Sequence, residues 1–222
     1  MDFRVSPRTV QQQTVEKLRQ AIIAGTFKPG DRLLEAELCN MLGVSRPSVR
    51  EALRSLEGER LIVLVPNKGP HIPVLTWEQA TEIYKTRALL EGEAASLAAK
   101  NITDAAITKM RRALKVFEKA GRDGDAAAQI SSTASFYAEI LNSCMNSIIE
   151  EILSGLLARV NLLRARSMSM PGRAKVSLKE MNAILDAIES RDSEAARRAA
   201  VHHVEQAHAS AAKAYEREYT GL

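Results

Sequence analysis

The chain has 222 residues, 45% of them hydrophobic and 26% charged, which is the composition of a globular protein. Seven prolines and eleven glycines are too few for a disordered or fibrous chain, and no apolar run is long enough for a membrane span. With only two cysteines, Cys39 and Cys144, a disulfide framework and a cysteine-based zinc site are excluded. The start of the chain shows no signal peptide, so we expect a cytoplasmic protein. The net charge of +4 permits a nucleic-acid partner without establishing one.

Residues 1–75 are predicted to form a separate domain of three helices followed by two strands. Helical apolar spacing and turn residues predict the helices, and a short β-branched run and a Pro/Gly-rich loop predict the strands. The expected helices are Val10–Ala24 (closed by Gly25), Glu35–Leu42 and Arg46–Glu59, and the expected strands are Leu61–Val65 and Gly69–Val74. A type II turn is expected at Lys28–Asp31. This order is the outline of a winged helix-turn-helix.

Residues 76–222 are predicted to form a second, all-helical domain. Helical periodicity is almost uninterrupted there, and Asp and Thr residues stand where helices are expected to begin. The expected helices are Thr76–Lys100, Thr103–Ala120, Asp125–Cys144, Asn146–Arg166, Arg173–Ser190 and Asp192 to about Tyr219. The fold class is therefore mainly α: a winged helix-turn-helix and a bundle of about six helices.

The spacing of three small or apolar residues indicates a helix-turn-helix. Cys39 is small enough for the contact between the two helices, Gly43 can adopt the positive φ of the turn, and Val49 can pack back under the first helix. Each of these residues, taken alone, would be explained by ordinary packing in a core. Together with the polar residues around them, they predict the DNA-binding motif.

Polar residues cluster at the start of the second helix of this motif, the end that enters the major groove. Arg46 and Arg50 are four residues apart and therefore lie on one helix face. Arginine can bind guanine with two hydrogen bonds and also binds phosphate. Ser45 and Ser48 are predicted to cap the helix or to contact phosphate. The alternative is a solvated pair of arginines beside nearby glutamates.

The first domain resembles that of the GntR superfamily of bacterial transcription regulators. The resemblance runs from about Val15 to Val74 and is carried by three segments: Gly25-Thr-Phe-Lys-Pro-Gly-Asp-Arg-Leu33, Glu37-Leu38 and Leu42-Gly-Val-Ser-Arg-Pro-Ser-Val-Arg-Glu-Ala-Leu53. It implies that Arg32, Arg46 and Arg50 contact DNA and that Gly69 lies at the wing tip. Arg60 stands where the family usually has glycine. Either Arg60 accepts the helix-ending conformation, or Gly58 ends the helix early.

The helical half resembles the ligand-binding domain of the FadR branch of that superfamily, an FCD-type domain. The residues that carry the resemblance are Arg87-Ala-Leu-Leu-Glu91, Ala94-Ala-Ser-Leu-Ala-Ala99 and Ala187-Ile188, with Asp192 and Ala196. Six helices indicate its shorter, VanR-like subgroup. The resemblance implies a homodimer that responds to a small molecule.

Many members of that branch bind a metal through one aspartate and three histidines. Aligned with that pattern, Thr133 stands at the aspartate position, Tyr137 and Met181 stand at two histidine positions, and only His203 remains. One imidazole does not hold zinc, and a thioether is a poor zinc ligand. We therefore expect no metal and no other cofactor.

The same positions are still expected to line an effector pocket. Thr133, Tyr137, Met181 and His203 would face the bundle interior, and Arg87 with Arg159 or Arg164 would supply positive charge for an organic acid. The alternative is that these are ordinary core residues and surface arginines. His202 and His208 are expected to face solvent.

The resulting expectation is a ligand-responsive, homodimeric transcription regulator, most simply a repressor, that binds an inverted repeat in double-stranded DNA. No membrane partner is expected. No nucleophile elbow, phosphate loop or catalytic carboxylate pair suggests an enzyme. The open alternative is a DNA-binding regulator whose helical domain only dimerises and senses no ligand.

Overall fold

The computed structural model describes residues 10–23 and 26–220, without the side chains of residues 23, 157, 158, 161, 162, 165, 166 and 218–220. The chain divides into two compact units, Met1–Leu75 and Thr76–Leu222. The predicted helix end at Ala24 and Gly25 lies outside the described residues, and so do the first nine residues of the chain.

The described residues of the first unit form three helices and a two-stranded sheet. The elements are α1 (Val10–Ile23), α2 (Glu35–Leu42), α3 (Arg46–Gly58), β1 (Val63–Val65) and β2 (Gly69–His71). Helix α1 packs mainly against α3. The core of the unit is built from the apolar side chains Leu18, Ile22, Leu33, Leu38, Val49, Leu56 and Ile72. The predicted winged helix-turn-helix is confirmed, although both strands are shorter than expected.

The wing is a hairpin whose second strand, β2, is paired on both sides. β1 and β2 run antiparallel with Val65 opposite Gly69, so a three-residue loop joins them. On the other side of β2, the N–H of Leu33 donates to the carbonyl of Pro70 at 2.8 Å. The Lys28–Asp31 turn is closed by the predicted bond from the Asp31 N–H to the Lys28 carbonyl, 3.0 Å, and Gly30 has a φ of +90°. The turn therefore anchors the edge of the wing.

At the end of α3 the first of the two alternatives holds, because Arg60 itself adopts the helix-ending conformation and Gly58 stays helical. The helix stops at Gly58, and Arg60 has a φ of +56°. The Arg60 N–H donates to the Glu57 carbonyl at 2.8 Å, and the Leu61 N–H donates to the Leu56 carbonyl at 2.9 Å. This is a Schellman motif in which arginine occupies the position that favours glycine.

This junction predicts a stabilising substitution. Arg60→Gly is expected to raise the free energy of unfolding of the first unit by about 1 kcal/mol, because a side chain in the left-handed region costs about 1–2 kcal/mol. The matched control is Arg54→Gly in the interior of α3, where glycine is expected to destabilise by about 1 kcal/mol. Urea unfolding of both variants measures the difference. A destabilised Arg60→Gly protein would contradict the prediction.

The described residues of the second unit form six helices, as predicted. They are α4 (Trp77–Asn101), α5 (Asp104–Asp123), α6 (Ala126–Ser143), α7 (Ser147–Met168), α8 (Arg173–Glu189) and α9 (Ser193–Thr220). Thr76 caps α4 in a capping box, and Thr103 and Asp125 cap α5 and α6 through their side chains. α9 packs mainly against α4 and α8, and α5 mainly against α6. None of the described helices is long and apolar enough to cross a bilayer.

Candidate DNA-binding face and candidate effector pocket

Helices α2 and α3 form the turn that the spacing predicted. Gly43 ends α2 with a φ of +66°, and its N–H donates to the Cys39 carbonyl at 2.9 Å. Val49 is completely buried, whereas Cys39 is only partly buried. Because Val49 is fixed in the core, the opposite face of α3 is held toward solvent.

Both candidate base-reading arginines are exposed near the N-terminal end of α3, beside the face that buries Val49 rather than opposite it. Arg46 is exposed at the start of α3. The side chain of Arg50 is 62% exposed, and its Nε donates to Glu35 Oε2 at 2.9 Å and to Oε1 at 3.0 Å. This ion pair is exposed and therefore weak, so it orients the guanidinium group without preventing its use.

The predicted cap by Ser45 does not form. Ser45 occupies the N-cap position with extended backbone angles, but its side chain makes no hydrogen bond to the backbone of α3. Its hydroxyl instead lies 3.0 Å from the hydroxyl of Ser48. The side chain of Ser45 therefore does not cap the first turn of α3.

The wing carries a basic residue that the sequence argument missed. Pro66, Asn67 and Lys68 form the exposed loop, with the φ of Asn67 at +61°, while Gly69 is the first residue of β2. Gly69 therefore lies beside the tip rather than at it. Lys68 was recognisable as the one charge in the Pro/Gly-rich loop. Arg32, exposed opposite His71 of β2, lies at the other edge of the wing.

In the second unit, most of the predicted pocket residues surround one internal cavity. Arg87, Thr133, Arg164 and His203 line a space of about 20 Å³. Thr133 is held by a 2.8 Å bond from its hydroxyl to the Gln129 carbonyl. Arg87 and Arg164 are both buried, which excludes the surface-arginine alternative for them.

Tyr137 and Met181 lie in the core rather than on the cavity wall. The Tyr137 ring lies under the guanidinium carbon of Arg164, 4.9 Å away, and 6.1 Å from the His203 ring. Met181 is fully buried in the apolar core. Arg159 is only partly buried and does not line the cavity. The sequence had offered Arg159 or Arg164 as the second positive charge of the pocket, and Arg164 is the one that lines it.

A buried ion pair between Arg87 and Glu91 carries charge at the cavity. Arg87 Nε donates to Glu91 Oε1 at 2.6 Å, and less than a tenth of either side chain is exposed. Burial alone would raise the pKa of Glu91, but the guanidinium groups of Arg87 and Arg164 hold it below its ordinary value. Arg87 Nη1 is buried and has no hydrogen-bond partner in the described part of the chain. One donor of Arg87 is thus available to a ligand.

A second buried cluster was not foreseen. Arg173 donates to both carboxylate oxygens of Glu180 at 2.7 Å, and His203 Nδ1 lies 2.7 Å from Glu180 Oε2. Burial lowers the pKa of His203, so the ring is neutral at pH 7 and donates from Nδ1. Burial and the charge of Arg87 likewise lower the pKa of Arg164 to about 10. The guanidinium groups of Arg87, Arg164 and Arg173 thus all line the cavity.

The residues at the four positions aligned with the family's metal ligands do not fit a metal ion. The one imidazole, His203, already uses Nδ1 on Glu180, and Thr133, Tyr137 and Met181 supply no carboxylate or imidazole. No group of three or more His, Cys, Asp or Glu side chains suited to a metal occurs within the described ranges.

One histidine assignment was wrong. His208 stacks between Trp77 and Tyr84, with ring centroids 5.3 and 4.8 Å away, and is only partly exposed. The stack arises because α4 and α9 pack together, which the residues of one helix alone do not reveal. His202 is exposed, as expected.

Comparisons with known proteins agree with both units. Residues 10–72 match the gntR family of bacterial regulatory proteins, and residues 82–206 match the FCD domain. The chain is 29% identical over 204 residues to the HTH-type transcriptional regulator YdhC of Bacillus subtilis, covering 91% of each protein. It is 26% identical to the galactonate operon transcriptional repressor of Escherichia coli, covering 83% of this chain and 89% of that one.

The structure of E. coli McbR/YncC has the same fold. It superposes with a TM-score of 0.85 at 24% identity, covering 94% of this chain and 100% of that one. The matched families and relatives are transcription regulators, which confirms that the chain is a regulator and not an enzyme.

Proposed function

The chain belongs to the gntR family of bacterial regulatory proteins, with an FCD domain as its second unit. We propose that it is a cytoplasmic, homodimeric repressor and that a small organic acid releases it from its operator. The DNA-binding half of the proposal is supported by the start of α3, where Arg46 and Arg50 are exposed. Repression is supported by the similarity to the galactonate operon transcriptional repressor of E. coli.

A two-fold dimer would present two α3 helices to two half-sites, so the operator should be an inverted repeat. Selection from a pool of random DNA duplexes is expected to enrich a palindrome. Light scattering is expected to give twice the mass of one chain at micromolar concentration. A monomer at that concentration would contradict the dimer, and enrichment of a single asymmetric half-site would contradict the palindrome.

The single observation that carries the sensing part of the proposal is the unpaired Nη1 donor of Arg87 at a cavity lined by three guanidinium groups. A carboxylate there would accept a hydrogen bond from Arg87. A thermal-shift screen of simple carboxylates, followed by titration of the operator complex, tests it. If no acid stabilises the protein or releases DNA, the alternative of a purely dimerising helical domain is favoured.

The proposal also requires that the acid binds without metal. Elemental analysis of the purified protein is expected to find no stoichiometric zinc, nickel or manganese, because His203 is the one imidazole at the four aligned positions. About one metal per chain, retained in His202→Ala but lost in His203→Ala, would overturn this prediction. The His202 variant is the matched control, since that ring is exposed on the same helix.

A further inference from the structure

The charged cavity is too small to hold a whole effector. Its volume of about 20 Å³ holds roughly one or two water-sized groups, whereas pockets for small ligands usually measure about 300–1,000 Å³. A carboxylate head could occupy the cavity with slight adjustment of its walls. The rest of the molecule needs another space.

A groove of about 440 Å³ lies directly beside the cavity. Its walls include Phe117 of α5, and Ala174 and Leu178 of α8. On α8 the neighbouring residues Arg173 and Ser177 line the cavity instead. Neighbouring residues of α8 therefore line the two spaces.

Gln129 is common to both spaces. It lines the cavity and the groove, its side chain is more than nine-tenths buried, and its amide nitrogen Nε2 has no hydrogen-bond partner within the described residues. An added Cβ on Gly121 would lie 3.0 Å from that nitrogen, so a glycine in the groove wall leaves room for the amide. Because Nε2 makes no hydrogen bond, none of its hydrogen bonds is lost when the side chain moves, and the free-energy cost of that motion is low. Gln129 is therefore a movable wall between the two spaces.

Resting on the function proposed above, we propose that the effector is an elongated carboxylic acid whose head binds in the charged cavity and whose largely apolar body lies in the groove, with Gln129 as the movable wall between them. The unpaired Nη1 donor of Arg87 selects the head, and Phe117 and Leu178 contact the body. The unpaired amide of Gln129 is then free to donate to a polar atom of the ligand where the two spaces meet.

The test uses straight-chain monocarboxylates from acetate to octanoate as probes, with binding to the full-length protein measured by calorimetry. Affinity is expected to rise by up to about fourfold for each added methylene group that enters the groove. Ala174→Phe, which fills the groove, is expected to abolish this dependence on chain length and to leave the binding of acetate and propionate within twofold. Gln129→Ala is expected to strengthen the binding of long acids selectively.

The matched control is Ser131→Phe, which fills a second groove of about 270 Å³ that shares no lining residue with the cavity. It is expected to keep the wild-type dependence on chain length. Acids that bind equally at every length, or equal effects of Ala174→Phe and Ser131→Phe, would overturn the groove assignment while leaving the carboxylate proposal intact. A wild-type protein that binds none of the acids would contradict the proposed effector class, and this inference with it.

Discussion

Replacing Arg46 and Arg50 together with alanine is expected to weaken operator binding at least about 30-fold and to relax base preference. Each arginine that reaches a base edge contributes about 1–3 kcal/mol of discrimination. Both side chains are exposed near the start of α3, and the burial of Val49 fixes the rotation of that helix. Fluorescence anisotropy with the selected palindrome and with a scrambled duplex measures affinity and preference together.

Arg54→Ala is the matched control, because Arg54 is an exposed arginine nearer the other end of the same helix. It is expected to change affinity less than threefold. Arg32→Ala is expected to weaken binding to both duplexes alike, as loss of a phosphate contact would, and to lower the slope of affinity against salt by about one charge. Unchanged operator affinity in the Arg46→Ala, Arg50→Ala double variant would refute this orientation of α3 on DNA.

Glu35 should have the opposite effect on binding. Glu35→Gln removes the carboxylate that pairs with Arg50 and also a negative charge near the DNA face. A modest rise in affinity for all duplexes is expected, because the pair is exposed and worth less than about 1 kcal/mol. A large loss of affinity would instead mean that the ion pair holds Arg50 in the position it needs.

Arg87→Met is expected to destabilise the second unit by about 3–5 kcal/mol. The substitution leaves the carboxylate of Glu91 buried without its ion-pair partner, and an uncompensated buried charge is costly. The double variant Arg87→Met, Glu91→Met is expected to be clearly more stable than the single one, because two apolar side chains then replace the pair. Urea unfolding followed by the fluorescence of Trp77, the one tryptophan, reports on the second unit.

The control is the exposed pair between Arg197 and Glu93, each about 40% exposed. Arg197→Met is expected to cost less than about 1 kcal/mol, since solvent screens that pair. If Arg87→Met cost no more than Arg197→Met, the buried pair would not stabilise the unit. If the double variant were as unstable as the single one, the loss would come from packing rather than from the unpaired charge.

The sequence by itself determined the local parts of this protein. Helix periodicity, capping residues and the spacing of Cys39, Gly43 and Val49 predicted the helices, the turn and the exposed arginines, because these depend on residues close together in the chain. The resemblance to the GntR superfamily was confirmed for the same reason: its motifs are continuous runs. The sequence also showed that Thr133, Tyr137 and Met181 replace three of the four metal ligands found in many members of the FadR branch.

Only the tertiary structure decided which side chains meet across helices. Arg173 and Gln129 line the cavity, Glu180 pairs with Arg173, and Arg159 does not line the cavity. His208 enters an aromatic stack. Each of these depends on the rotation of one helix against another, which side-chain packing fixes and a single amphipathic pattern leaves open. The tertiary structure also buries Arg87 and Arg164. Their charges interact more strongly with neighbouring groups there than at the surface, because the effective dielectric constant of the interior is lower than that of water.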